Sequence, residues 1–344
     1  MIEKDIIAIL CSYIPVEIID AAGFTYERIF DNSDDISPKI RSIFPTYMCS
    51  YASSCLNKLC NDSNNYEAVI FTNSCHPMEG VYESLEKLQR DIRKFMLNVP
   101  RSQDDEAVDY FGMELKRLID YFQENFCVSI TSDDLKKSVK KFNNKRTVHN
   151  KLNELIQNKE IVLTAKETNS LNKCYLENEC DYEKKVQAII DSKEERNTDF
   201  TLPRIMLSGN ICIPRDILEV IEEYKGNVVL CNNCDGYRSL TNCINEDGDV
   251  LQNISRAYLN KPACLHCKNI DLKLKQFEKY LDDYDINGVI FSVMKFCTDQ
   301  TYWMVNVEKL LKEKGIPFLF IDSDYYSKSS GQVHTRIQAF LENL

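Results

Sequence analysis

Apolar positions along this chain follow two rhythms. Short, nearly continuous apolar runs recur at both ends: "DIIAIL" (Asp5–Leu10), which ends at Cys11, "FTYERIF", and "YEAVIFTNSC", which delivers Cys75; then, after Leu202, "RIMLSG", "NVVLC", "GVIFSV" and "IPFLFIDS". Their length and content predict strands. Between them lie stretches with apolar residues at helical spacing. Pro15 opens "PVEIIDAAG" and Gly23 closes it, the punctuation of a helix. "TYMCSYASSCLNKLC", "PRDILEVIEEYKG", "TYWMVNVEKLLKEKG" and the closing "GQVHTRIQAFLENL" read the same way. From about Arg101 to Arg196 only the helical rhythm remains, in charged segments such as "DEAVDYFGMELKRLIDYFQENF" and "SDDLKKSVKKFNNKRTVHNKLNELIQ", with Gly112 as the sole glycine.

Strands alternating with helices imply parallel sheets of the doubly wound α/β type. The expected organisation is an N-terminal α/β domain over 1–100, a helical insert over 101–200 and a C-terminal α/β domain over 201–344. The insert reads as solvated helices that shape a lid or interface rather than as a catalytic element. A short internal echo, "CSYIPVEIIDAAG" against "CIPRDILEVIEEYKG", agrees with two half-similar α/β units.

Charge and composition narrow the function classes. The 344 residues carry a net charge of −11 and no basic run, which argues against nucleic-acid binding. No apolar run approaches the ~20 residues of a membrane helix. The start "MIEKDIIAILCSYIP" places acidic residues ahead of a short apolar run, unlike a secretion signal, so a cytoplasmic protein is expected. GxGxxG, GxxxxGK[ST] and HExxH are missing.

Fifteen cysteines against four histidines change the picture most. An odd number excludes a fully paired disulfide framework within one chain. Cys11, Cys75, Cys231, Cys234 and Cys297 each lie at or just past the carboxyl end of a predicted strand, where ligands bind in open α/β sheets. Cys49 lies at a predicted helix start, where partial positive charge favours thiolates. Cys127, Cys174, Cys180 and Cys243 read as packing residues. Two CxxC pairs, Cys231/Cys234 and Cys264/Cys267, allow a zinc ribbon, but 29 residues separate Cys234 from Cys264 where 15–20 are usual. A thioredoxin-like dithiol fits "CNNCDGYR" loosely. Thiols without histidines favour soft iron–sulfur ligation.

Seven segments in order, "CSYIPVEIIDAAG", "MCSYASSCL", "TNSC", "NNCDGYR", "AYLNKPAC", "GVIFSVMKFC" and "GIPFLFIDSDYYSKSSGQVHTRIQAFLE", resemble the 2-hydroxyacyl-CoA dehydratase / benzoyl-CoA reductase subunit superfamily. The resemblance implies an iron–sulfur cluster held between two Rossmann-like domains. It assigns Cys49, Cys75 and Cys297 to a 4Fe–4S cluster. The superfamily's double-cubane branch, whose 8Fe–9S cluster takes six cysteines, would add Cys11, Cys234 and Cys264, with Cys267 as the alternative to Cys264. All six being present favours that branch.

The implied activity is low-potential reduction of a small molecule, with electrons injected by a separate ATP-hydrolysing iron–sulfur activator. The alternatives are a 4Fe–4S dehydratase or reductase subunit acting on an acyl-CoA, and a non-enzymatic iron–sulfur accessory protein. A homodimer, or a heterodimer with a paralogous subunit, is implied; nucleic acid and membrane are not. Tyr13, His76, Tyr237, Arg238 and Lys295 flank the proposed ligands and are candidates for tuning the cluster. The serines and glycine of "DSDYYSKSSGQ" either face an anion or cap the last helix.

Overall fold

A computed structural model of the chain describes residues 6–30, 36–45, 47–88, 92–177, 181–196, 199–211, 216–239, 242–262, 264–325 and 328–344. The first part holds strands β1 (Ile6–Ile9), β2 (Thr25–Arg28), β3 (Ala68–Thr72) and β4 (Arg93–Leu97), with helices α1 (Val16–Ala21), α2 (Pro38–Ile43), α3 (Ser50–Asn61) and α4 (His76–Lys87). Four helices follow: α5 (Asp105–Phe126), α6 (Ser132–Gln157), α7 (Ala165–Glu177) and α8 (Tyr182–Asp191). The last part holds β5 (Arg204–Gly209), β6 (Asn227–Asn232), β7 (Gly288–Met294) and β8 (Phe318–Ser323), with α9 (Ile217–Glu223), α10 (Val250–Leu259), α11 (Ile270–Asp283), α12 (Thr298–Lys314) and α13 (Gly331–Leu341).

The strands form two all-parallel sheets, ordered β2-β1-β3-β4 and β6-β5-β7-β8. Each is covered on both faces, as parallel sheets are. Period-two alternation splits β1 between two cores: Ile7 and Ile9 face α1, α5 and α10, while Ala8 and Leu10 face α2, α3 and α4. The second sheet divides likewise. Met206 and Phe291 pack towards α8, α11 and α12; Leu207 and Ile290 pack towards α9 and α13. The doubly wound α/β class read from the sequence is the observed architecture. Strand β4 went unread: of "RKFML" only Phe95 and Leu97 are buried, a half-solvated edge without a continuous apolar run.

Local signals set the long helices. Asp104 caps α5 by accepting from the Ala107 amide at 2.8 Å, and Thr131 and Asp134 close a capping box on α6. Helix α5 ends at Cys127 in the left-handed region (φ 55°), with its side chain exposed rather than packed. Cys243 is exposed too, so the packing role expected of these two does not hold, whereas Cys174 packs in the core of the second sheet, where it is also disulfide-bonded. Cys180 lies outside the described residues. The last helix opens with a cap: the Ser330 side chain accepts from the Val333 amide. Among the described residues no helix is long and apolar enough to cross a membrane.

Two features tie the sheets together. Helix α6 contributes Val139 and Phe142 to the core of the first sheet and Leu152 and Ile156 to that of the second. Helix α10 comes from the C-terminal third yet packs Ile254 and Tyr258 beside α5 in the first core. Where α1, α6 and α10 meet, the buried Glu17 carboxylate pairs with buried Arg146 and accepts from the Tyr258 hydroxyl at 2.8 Å. Asn143, one turn before Arg146, exchanges two 2.8 Å bonds with the Ile244 backbone.

Removing one partner of a buried pair strands the other charge, at a cost of about 3–5 kcal/mol. Glu17→Gln is therefore expected to lower the urea unfolding midpoint by that equivalent at unchanged m-value. The double variant Glu17→Gln/Arg146→Met recovers much of the loss.

Candidate functional site

Both sheets reverse their winding direction at the centre, between β1 and β3 and between β5 and β7. The carboxyl ends of these central strands are where a doubly wound sheet binds ligands. Cys11 follows β1 and Cys75 follows β3; Asn210 follows β5 and Cys297 follows β7. The backbone permits close approach there: a Cβ on Gly209 would overlap the Ser292 carbonyl of β7. Cys49, Cys75 and Cys297 each occupy the N-cap position of a helix, of α3, α4 and α12.

The two ends face each other, and their contacts are specific. The Cys49 Sγ lies 2.9 Å from the Met294 Sδ of β7, and the Asn210 side-chain amide donates to the Cys297 Sγ at 3.1 Å. Asn210 also accepts from the Met294 amide, and its carbonyl accepts from the Cys234 amide at 2.7 Å. Arg28, at the end of β2, reaches across to donate to the Cys234 carbonyl at 2.6 Å and to the Ser239 hydroxyl at 2.9 Å. The Cys264 loop is pinned to the first sheet by His266, whose Nε2 lies 2.9 Å from the Val99 carbonyl.

The six sequence-nominated thiols are thereby close enough to act on one another. Burial pushes the Cys49 thiol up to about 11, and Cys297 adds to it. Burial also raises Cys75, which feels Cys49, Cys11 and Cys297. Burial raises Cys297 in turn, against the Asn210 hydrogen bond. In the second group the Cys264 thiol hydrogen-bonds to Cys234. That bond holds Cys234 well below the usual thiol range and Cys264 well above it, with Arg238, Arg28 and Lys261 helping to stabilise the Cys234 thiolate. Cys267, the alternative to Cys264, is buried and, like Cys264, acts on Tyr13. Cys231 is a buried residue within β6, one before its end. Among the described residues no three His, Cys, Asp or Glu side chains converge on one metal-sized point.

Of the flanking residues, two belong to the site. Tyr13 is buried against Lys261, whose Nζ lies 4.1 Å from the Tyr13 ring centroid, and Arg238 is buried with a hydrogen bond to the Gly209 carbonyl. The others turn away. His76 is exposed beside Glu79, Lys295 pairs with Asp324 at 2.8 Å on the surface, and Tyr237 packs edge-on against Tyr280. Sequence reading missed Arg28 and Lys261. Arg28 sat inside a predicted strand, and Lys261 carried no local sign that a lysine would be buried.

The residues fit a thiolate-ligated cluster on the chemistry of the donor set. Six soft donors lie near one another in two groups, and buried cations face one of the groups; among the described residues the Nε atoms of Arg28 and Arg238 are buried without a hydrogen-bond partner. Buried cations need anionic company, and the cysteines are among the groups that act on Arg28 and Lys261.

Comparison with known proteins gives a consistent picture. Residues 11–344 match the sequence model of "2-hydroxyglutaryl-CoA dehydratase, D-component". The chain is 24% identical to the (R)-phenyllactyl-CoA dehydratase beta subunit of Clostridium sporogenes, over 96% of this chain and 90% of that one. It is 21% identical to the lactoyl-CoA dehydratase subunit beta of Anaerotignum propionicum (99% and 92% covered). It is 23% identical to a benzoyl-CoA reductase subunit from Thauera aromatica (96% and 88% covered). These are enzyme subunits, which leaves the non-enzymatic accessory reading without support.

The Cys231–Cys234 turn depends on Gly236, where an added Cβ would lie 2.6 Å from the Cys231 carbonyl oxygen and 2.9 Å from its Cβ. Gly236→Ala is expected to destabilise the fold by about 1–3 kcal/mol. Urea denaturation reads that loss, and an unchanged midpoint would show that the turn has room.

Proposed function

The chain belongs to the 2-hydroxyglutaryl-CoA dehydratase D-component family, and from that premise we propose that it is an iron–sulfur, low-potential reductase subunit whose cluster sits between its two sheets. Cys49, Cys75 and Cys297 would hold one part and Cys11, Cys234 and Cys264 the other, as a double cubane acting on a small molecule. When bound, such a cluster supplies one-electron chemistry at low potential. The observation that carries this reading is that six thiols stand in two adjacent groups close enough to act on one another: Cys11, Cys75, Cys234 and Cys297 follow strands, Cys49 opens a helix and Cys264 follows one. A single zinc ion would need three or four thiolates at about 2.3 Å from one point. A cluster of several irons takes one thiolate on each iron it contacts, which suits the looser spread.

The protein's own part is to bury the thiols, exclude water and fix the helix N-termini beneath Cys49, Cys75 and Cys297. The sequence lacks a phosphate-binding GxxxxGK[ST] loop, which suits electron delivery by a separate ATP-hydrolysing activator. A cytoplasmic location completes the proposal, together with assembly as a homodimer or as a heterodimer with a paralogous subunit.

A second reading is favoured by the relatives' names. Three of them are subunits of enzymes named for acyl-CoA compounds, so a 4Fe–4S subunit of a 2-hydroxyacyl-CoA dehydratase or benzoyl-CoA reductase is the alternative. Anaerobic purification with iron and sulfide quantitation separates the two: about eight irons per chain for the double cubane against about four for the single cluster. Acyl-CoA binding would add weight to the second. Zinc in place of iron would sink both. Within the first reading, Cys234→Ala is expected to lose iron and Cys231→Ala to keep it; full iron in Cys234→Ala refutes the ligand assignment.

A further inference from the structure

Three cations stand buried around one part of the cysteine site. Lys261 is 0% exposed, Arg28 4% and Arg238 5%. Their hydrogen-bond partners among the described residues are all neutral: the Ser12 hydroxyl for Lys261, the Cys234 carbonyl and Ser239 hydroxyl for Arg28, and the Gly209 carbonyl for Arg238. A cation taken out of water is strongly disfavoured unless an anion accompanies it. Elsewhere the chain supplies carboxylates: Arg146 is paired with Glu17, Lys145 faces Glu183 and Asp20, and Arg204 faces Asp285. Here the groups facing Lys261 are Cys11, Cys264 and Cys234, and those facing Arg28 are Tyr51, Cys234 and Cys11, ahead of Asp235.

The other three cysteines have different company. Cys49 meets the thioether of Met294, and Cys297 meets the neutral amide of Asn210. Of the charges acting on Cys297, the carboxylate of Asp299 has the largest effect. Lys295, two residues before Cys297, is committed to Asp324 at the surface. The positive charge of the site is therefore concentrated on the Cys11, Cys234 and Cys264 side.

We propose that the two cysteine triads hold electrically inequivalent halves of the cluster: Arg28, Arg238 and Lys261 compensate the negative charge of the half on Cys11, Cys234 and Cys264, so the first electron resides there. The inference rests on the double-cubane reading above. The electron comes from a low-potential one-electron donor, the activator in the cell or titanium(III) citrate in a titration. No bond forms or breaks; one negative charge is added, and the half beside the three cations bears it at the lower cost. The half on Cys49, Cys75 and Cys297 then has the more negative potential.

The test uses the full chain with its cluster, purified without air. Lys261→Met and Arg238→Met remove charge, Lys261→Arg and Arg238→Lys keep it, and Lys295→Met serves as the control. Iron and sulfide are counted first, and then potentials are read by EPR-monitored titration. In both methionine variants the higher-potential couple is expected to move negative by at least a tenfold loss of the reduced form at fixed potential, about 59 mV for one electron. The lower couple moves less, and the charge-keeping variants and the control stay with the parent. Loss of about half the iron in a methionine variant, restored by its charge-keeping counterpart, also supports the proposal. Unmoved couples, equal shifts of both, or iron loss that retained charge does not repair overturn it. A parent protein with about four irons, or with zinc, instead sinks the underlying reading before any variant is compared.

Discussion

The buried ion pair between Glu17 and Arg146 fixes the geometry on which the site depends. It joins α1 of the first sheet to α6 of the helical segment, and Tyr258 brings in α10 from the C-terminal third. Two charges out of water tolerate little displacement, because each is the other's only adequate counter-charge. Since α6 also enters the core of the second sheet through Leu152 and Ile156, the pair acts as a reference point for both sheets.

What those strand ends bring together is a group of thiols in two electrostatic settings. Burial first, and neighbouring thiols after it, raise Cys49, Cys75 and Cys297 and favour their protonated forms. The hydrogen bond from Cys264, and then Arg238, Arg28 and Lys261, lower the Cys234 thiol. A metal centre bound by thiolates would displace protons from both groups. Asn210 is the hinge of the arrangement, donating to Cys297 while its carbonyl receives the Cys234 amide.

Much of this was legible in the sequence, for reasons that also explain the gaps. Seven of the eight strands show as apolar runs because their sheets are covered on both faces; β4 lacks such a run because Arg93 and Lys94 lie on an edge. The strand-end cysteines could be gathered by the general rule for doubly wound sheets. Cys264 could not, since it follows a helix and reaches the site only because α10 crosses to the first sheet. No periodicity reveals which core a helix joins. The cations were hidden for a related reason: burial of Lys261 and Arg28 is decided by groups more than two hundred residues away or by a loop folded over them, as the contact of Arg28 with Cys234 shows.

The crossing of α10 bears on how the protein is made. Its residues Ile254, Tyr258 and Leu259 fill the core built by β1, α1 and α5, so that core stays open until residue 259 has left the ribosome. At roughly 5–20 residues per second, Cys11 waits tens of seconds for Cys234 and Cys264 to be synthesised. During that interval Cys11, Cys49 and Cys75 belong to an unfinished domain with exposed apolar surface. A partial centre assembled on them would lack half its donors and all shielding by the second sheet. On the proposed cluster reading, insertion of the inorganic component would follow translation, on a chain whose last third has already closed the first.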